Sequence, residues 1–153
     1  DWYRSRGLGD VYKRQANAQA FAAALAAEGF DVLAESRGYT ASHQVLTRHG
    51  DLDSGAGAKA ADLLEQAGII TNMNMLPGDT KAMSPSGLRL GVQELTRVGM
   101  GKDEMLDVAR FYARVLLENE NPSKVKLDVR DFKSDYHVIR YCFNEDNLSG
   151  YPL

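Results

Sequence analysis

The sequence predicts a small α/β domain of the α+β kind, with a mostly antiparallel or mixed sheet covered on one face by helices. Three observations predict it. The periodicities run helix, strand, strand, helix, strand, strand, then helices. The first two strands are joined by too few residues for a βαβ crossover, so that pair is expected to be antiparallel. The 153 residues fall in the single-domain range, and 44% hydrophobic with 25% charged residues is ordinary globular composition.

The opening "DWYRSRGLGDVYKRQ" mixes aromatic and basic residues without periodicity, and the character of the chain changes at Ala16. Ala18, Phe21, Ala22 and Leu25 then share one helical face, and Gly29 supplies the residue just past the helix end. "FDVLAES" reads as a strand, turning around Arg37, Gly38 and Tyr39 into a second strand, "SHQVLTRH". After the loop "GDLDSGAG", residues 56–67 form a helix with Ala60, Leu63, Leu64 and Ala67 inward and Gly68 beyond its end. "IITNMN" is a third strand, "LPGDTKAMSPSG" a turn-rich loop and "GLRLG" a fourth strand. "VQELTRVG" gives a helical turn or two, broken by Gly99 and Gly101. The longest helix runs from about Lys102 to Asn119 on Met105, Val108, Ala109, Tyr112, Val115 and Leu116. Pro122 marks a boundary before a helix over Lys124–Lys133 and a strand-like "HVIRYCF", and the polar tail is expected to fray.

A net charge of −3 gives no general basic field, which argues against nucleic-acid binding. No apolar run approaches the ~20 residues that span a bilayer, and no apolar stretch follows the basic opening as a secretory signal requires. Membrane association is therefore not expected. One cysteine, Cys142, cannot close an internal disulfide, which points to a reducing, cytoplasmic setting. His43, His49 and His137 lie far apart with no second ligand at metal spacing, so no metal is assigned. "GAGAKA" fits a dinucleotide-turn pattern superficially, but a glycine-containing helix start explains it better.

Two positions invite a chemical reading. In "SGLRLG", alternation sends Leu88 and Leu90 to one face and Arg89 to the other, between glycines that leave room for close approach. A guanidinium on a rigid strand suits bidentate binding of a carboxylate, and equally suits a surface ion pair. In "NMNMLPGD", Asn72 and Asn74 share a strand face and offer donors and acceptors to a heterocycle's edge; turn-forming asparagines before a Pro-Gly loop are the other reading.

Taken together, "AGIITNMNMLPGDTKAMSPSGLRLGVQELTRVGMGKDEM" resembles the C-terminal region of serine hydroxymethyltransferase (glycine hydroxymethyltransferase). The motifs appear in that family's order as "TNMN", "PSGLRLG" and "LTRVGM". "NAQAFAAALAAEGFDVLAES" looks like the helix and strand entering the family's small domain, and "ASHQVLTR" takes the place of its next strand. The resemblance covers residues 16–120 and extends more weakly to about 146. "GVQELTRVGM" is closer to the archaeal-type branch.

This resemblance implies the C-terminal small domain of an aspartate-aminotransferase-like, fold-type-I pyridoxal-phosphate enzyme that converts serine and a reduced pterin to glycine and a methylene-pterin. Arg89 would hold the substrate's α-carboxylate and Asn74 would contact the pterin. Pro77–Pro85, with Pro77 and Ser84, would line the pterin entrance. Met73 stands where the family usually has lysine, so a contact to the carrier's anionic tail is in doubt, and the carrier can be tetrahydrofolate or tetrahydromethanopterin. The family's pyridoxal-phosphate lysine, its phosphate-binding residues and its ring-stacking histidine would precede Ala16, so this fragment holds no catalytic lysine and is expected to be inactive alone. The intact parent is expected to be a homodimer. Residues 1–15 resemble translated sequencing-adapter sequence, a disordered arm being the alternative; 16–146 form the small domain and 147–153 the tail. Alternative functions are a related enzyme, such as an α-methylserine hydroxymethyltransferase or an aldolase-like relative, and a free-standing amino-acid-binding or assembly module.

Overall fold

A computed structural model describes residues 2–138, with side chains from Val11 onward. Its sheet has four strands, β1 (Asp31–Val32), β2 (Gln44–Arg48), β3 (Asn72–Asn74) and β4 (Gly87–Gly91), in the spatial order β1-β2-β4-β3. Every neighbouring pair is antiparallel. Five helices accompany it: α1 (Trp2–Glu28), α2 (Ala56–Gln66), α3 (Gln93–Arg97), α4 (Lys102–Leu116) and α5 (Pro122–Ser134). α1 and α2 pack against the sheet, α4 lies across both, and α5 packs on α2 and α4.

The core sits between the sheet and the helices. Ala18, Phe21, Ala22 and Leu25 of α1 are all buried, as their spacing predicts, and Phe21 meets Tyr112 of α4 edge-on at 5.5 Å. From the sheet come Val45, Leu88 and Leu90, and from α2 come Ala60, Leu64 and Ala67. Leu63, expected inward, is 39% exposed, because it stands one position off the Ala60–Leu64–Ala67 stripe.

Three strands are shorter than their sequence patterns suggest, β2 lacking Ser42, His43 and His49 of "SHQVLTRH". The ladder of β1 ends after Val32 and Leu33, because Ala34 turns left-handed (φ 63°) and Glu35–Arg37 close a single 3₁₀ turn. In "IITNMN" only Asn72–Asn74 pair with β4. The long helix stops at Leu116 rather than at Asn119, which has φ 53°. At the other end of the chain, α1 begins at Trp2, so residues 2–15 continue it without interruption. The strand expected over "HVIRYCF" lies mostly outside the described residues; its first two, His137 and Val138, belong to no element.

α1, α2 and α3 end alike. Gly29, Gly68 and Gly99 take positive φ, each donating its N–H three residues back while the next residue donates five back. "SPSG" has a separate job at the foot of α2, where Gly55 N–H donates to Ser84 and Gly57 N–H to Pro85. Two otherwise orphaned helix N–H groups are thereby paired with the strand that enters the sheet.

Candidate functional site

Alternation along β4 buries Leu88 and Leu90 to 0% and 2% exposure against the α1 and α2 side and turns Arg89 to the opposite face. The registers fix its company. Leu46 on β2 and Asn72 on β3 stand directly across from Arg89, Gly87 stands between Arg48 and Asn74, and Gly91 faces Gln44. Residues paired this way share a face, so Arg89, Asn72 and Asn74 lie on one open surface with Gln44, Leu46 and Arg48.

A cleft of about 370 Å³ opens on this surface, lined by Leu33, Tyr39, Gln44, Leu46, Asn74 and Arg89 among others. Its outer wall is the segment after β1, which doubles back because Ala34 and Tyr39 both adopt left-handed backbone (φ 63° and 65°). Tyr39 N–H closes that turn on the Ala34 carbonyl at 2.9 Å. Two non-glycine residues in this region store strain where the wall is built. Desolvation and the Glu35 carboxylate, which accepts from Tyr39 Oη at 3.3 Å, push the phenol above its ordinary pKa, so it stays a neutral donor.

The charge in the cleft is unanswered. Arg48, Arg97, Arg110 and Arg114 each have a carboxylate partner within 3.4 Å. Among the described residues no carboxylate sits against Arg89. Asn74 spends one amide hydrogen on the Met75 carbonyl at 2.6 Å. A planar cation beside carboxamides, on a rigid strand, is suited to a ligand carrying a carboxylate and a polar ring.

Sequence reasoning brought Arg89 and Asn74 to this surface but missed Gln44 and Tyr39, whose strand and turn positions carry no distinguishing pattern. Pro77 and Ser84 do not line the cleft. Pro77 is exposed on the loop beyond Asn74, and the Ser84 carbonyl accepts from Gly55 at the start of α2. Every described lysine is exposed, and none lines the cleft. Among the described residues no cluster of metal-ligating groups occurs, and no helix is long and apolar enough to cross a membrane.

A family model described as serine hydroxymethyltransferase matches residues 10–112. Serine hydroxymethyltransferase of Thermococcus kodakarensis is 52% identical over 149 residues, covering 95% of this chain and 34% of the relative. That of Methanocella arvoryzae is 45% identical over 152 residues, covering 97% and 36%. Among solved structures, L-threonine transaldolase of Pseudomonas fluorescens superposes with a TM-score of 0.77 at 30% identity, covering 91% of this chain and 32% of that one. The four-stranded antiparallel sheet and its helices have the fold found in the fold-type-I pyridoxal-phosphate enzymes. The chain spans about a third of the length of the curated relatives it matches. It belongs to the serine hydroxymethyltransferase family.

Proposed function

We propose that this chain is the substrate-clamping, C-terminal part of an enzyme that passes the hydroxymethyl carbon of serine to a reduced pterin as a methylene group, releasing glycine and water. The observation that carries this is the cleft itself, where Arg89, which has no carboxylate partner among the described residues, and the Asn74 carboxamide line one surface. Arg89 takes the amino acid's carboxylate on its two-pronged edge, fixing the direction of the bond to be broken. Asn74 hydrogen-bonds the pterin's edge, and the Tyr39 wall narrows the access of water to both.

Pyridoxal phosphate, when bound, draws electrons from the amino acid's α-carbon. The exposed lysines here do not fit it, so its lysine and phosphate site fall to the two thirds of the family's length outside this chain. The carrier is tetrahydrofolate or tetrahydromethanopterin, the parent a cytoplasmic homodimer. A second reading, transaldolase or aldolase-like chemistry, draws on the solved structure at 30% identity, against 52% for the hydroxymethyltransferase. A reduced-pterin requirement separates the two.

The test is a chimera in which this chain follows the portion of the Thermococcus kodakarensis relative that it does not span. Serine turnover that needs a reduced pterin is expected. Arg89→Lys keeps the charge and loses the fork, so glycine binding should weaken about 10- to 100-fold, the usual range for a charge-assisted pair. Near-normal glycine affinity in that variant would overturn the assignment of Arg89.

A further inference from the structure

The two ends of the loop from Met75 to Ser86, between β3 and β4, meet on the Asp79 carboxylate. Asp79 Oδ2 accepts from Leu76 N–H at 2.8 Å, just past β3, and from Ser86 N–H and Oγ–H at 3.0 and 2.8 Å, just before β4. Asp79 Oδ1 accepts from Asp53 N–H at 2.8 Å, in the loop preceding α2. Asp53 returns the contact: its carboxylate accepts from Thr80 N–H, Thr80 Oγ–H and Lys81 N–H at 2.6–2.7 Å. The two aspartates thus hold the crown of the loop and both its ends.

What lies beside this clasp gives it a role. Asn74 pairs with Gly87, the last rung of the β3–β4 ladder, two residues before Leu76 and one after Ser86. Leu76, 3% exposed, lies so close against Gly87 that a Cβ added to the glycine would come within 2.4 Å of the leucine side chain. Leu76 is not part of the main hydrophobic cluster. α2 packs along β3, and past Asn74 the Leu76–Gly87 contact and the Asp79 carboxylate hold the strand end. Arg89 is held differently, paired on both sides by β2 and β3.

We propose that Asp79 is a positioning residue for the carrier side of the site: its carboxylate holds Leu76 to Ser86 and so keeps Asn74 on the last rung, in place for the pterin. This rests on the reading of Asn74 given above. Without the clasp the rung frays, Asn74 drifts, and the doubly paired Arg89 stays.

The experiment compares Asp79→Asn, Ser86→Ala and Asn74→Ala in the pyridoxal-phosphate-loaded chimera, using whichever of tetrahydrofolate and tetrahydromethanopterin the unsubstituted chimera turns over. Asp79→Asn is expected to raise the carrier's KM about tenfold while leaving the serine KM and glycine affinity within about twofold. Amide exchange at Leu76 and Ser86 in the 153-residue chain should accelerate. Ser86→Ala removes one contact and should move the carrier KM the same way by less, and it decides the matter if Asp79→Asn does not fold. An unchanged carrier KM in Asp79→Asn, beside a raised one in Asn74→Ala, overturns the positioning role alone. An unchanged carrier KM in Asn74→Ala overturns the reading of Asn74 and the inference with it. Serine and carrier KM rising together would mean the clasp is a general scaffold, which also overturns the proposal.

Discussion

Asn17 and Thr96 meet across 79 positions of sequence: Asn17 Nδ2 donates to Thr96 Oγ1 at 3.0 Å, and also to the Met100 carbonyl at 2.9 Å. Thr96 in turn donates its hydroxyl to the Val92 carbonyl at 2.8 Å. Asn17 is 3% exposed and Thr96 1%, so these bonds are made out of reach of water. They tie α1 to the turn between α3 and α4, and they give "LTRVGM" a physical meaning. Thr96 accepts, Gly99 takes the left-handed φ of 101°, and Met100 offers its carbonyl.

Replacing Asn17 tests that tie. Asn17→Ala strands the buried Met100 carbonyl and leaves a small cavity, a loss of about 2–3 kcal/mol in urea unfolding. Asn17→Asp turns a donor into an acceptor facing two oxygens. Burial raises the new carboxyl's folded pKa above its unfolded value, so the variant is most stable at low pH and loses ground as pH rises through that folded pKa. An Asn17→Asp variant that is no less stable at pH 7 than at pH 4.5, relative to the parent chain, would contradict this.

Gly57 is the second test of packing. A Cβ there would fall 2.2 Å from the Gly87 carbonyl oxygen and 2.8 Å from its nitrogen, backbone atoms that cannot swing aside. Gly→Ala inside a helix normally gains up to about 1 kcal/mol. Here the forced separation of α2 from β4 costs about 1–3 kcal/mol, occasionally more, so the sign should be destabilising. The β4 amides should also exchange faster in Gly57→Ala. A stabilised variant would show that α2 can move off the strand freely.

These contacts explain where the sequence was readable. Local periodicity was enough for the buried face of α1, and alternation was enough to separate Arg89 from Leu88 and Leu90. The shared face of Asn72 and Asn74 followed from the same rule, and the register then brought it to Arg89. Asn17 and Asp79 were illegible, because their worth lies in partners that no local pattern announces. One is a polar residue in an alanine-rich helix, the other an aspartate in a loop where turn-formers are ordinary. The wall of the cleft was missed because "FDVLAES" alternates like a strand, and only the left-handed Ala34 shows that it stops.

His49 should set the acid limit of stability. Its Nε2 pairs with Thr47 Oγ1 at 2.9 Å, and its ring meets Phe30 edge-on at 6.0 Å. Desolvation pulls its pKa down to about 4, with the Asp31 carboxylate opposing. The unfolded chain binds that proton at about 6.5, so the stability it contributes is complete above that pH and is lost as pH falls through about 4. The loss is about 2 kcal/mol, allowing for partial exposure. His49→Gln keeps a hydrogen-bonding group without the titration. It should flatten the stability curve between pH 6.5 and 4, as read by thermal melts. A curve of unchanged slope would assign the acid sensitivity elsewhere. Asp79, whose carboxyl four hydrogen bonds hold below the usual range against desolvation, acts in a separate window below its ordinary 3.8.

Arg114 decides whether α5 stays attached. Its guanidinium takes Glu120 through Nε and an NH₂ at 2.6 and 3.2 Å, reaches Asp128 of α5 at 2.5 Å, and lies over the Phe111 ring at 5.7 Å. At 17% side-chain exposure this pair is better shielded than the surface pairs around it. The hydrogen bonds from Arg114 and then Lys124 hold Glu120 down to about 2, so the network is fully charged at neutral pH. The apolar side of the attachment comes from buried Val125 and partly buried Val129 and Phe132, the last meeting Phe111 edge-on at 5.5 Å. The ion pair adds its geometry to that contact. Arg114→Lys keeps one charge but cannot serve Glu120 and Asp128 at once. It should cost about 1–2 kcal/mol, felt locally as detachment of α5 before the sheet unfolds. Limited proteolysis in the Leu117–Asn121 linker should therefore quicken several-fold in Arg114→Lys, while amide protection in β2 and β4 holds. Equal loss of protection in α5 and β4 would mean that α5 is integral to one cooperative unit, and that the ion pair does not govern its docking.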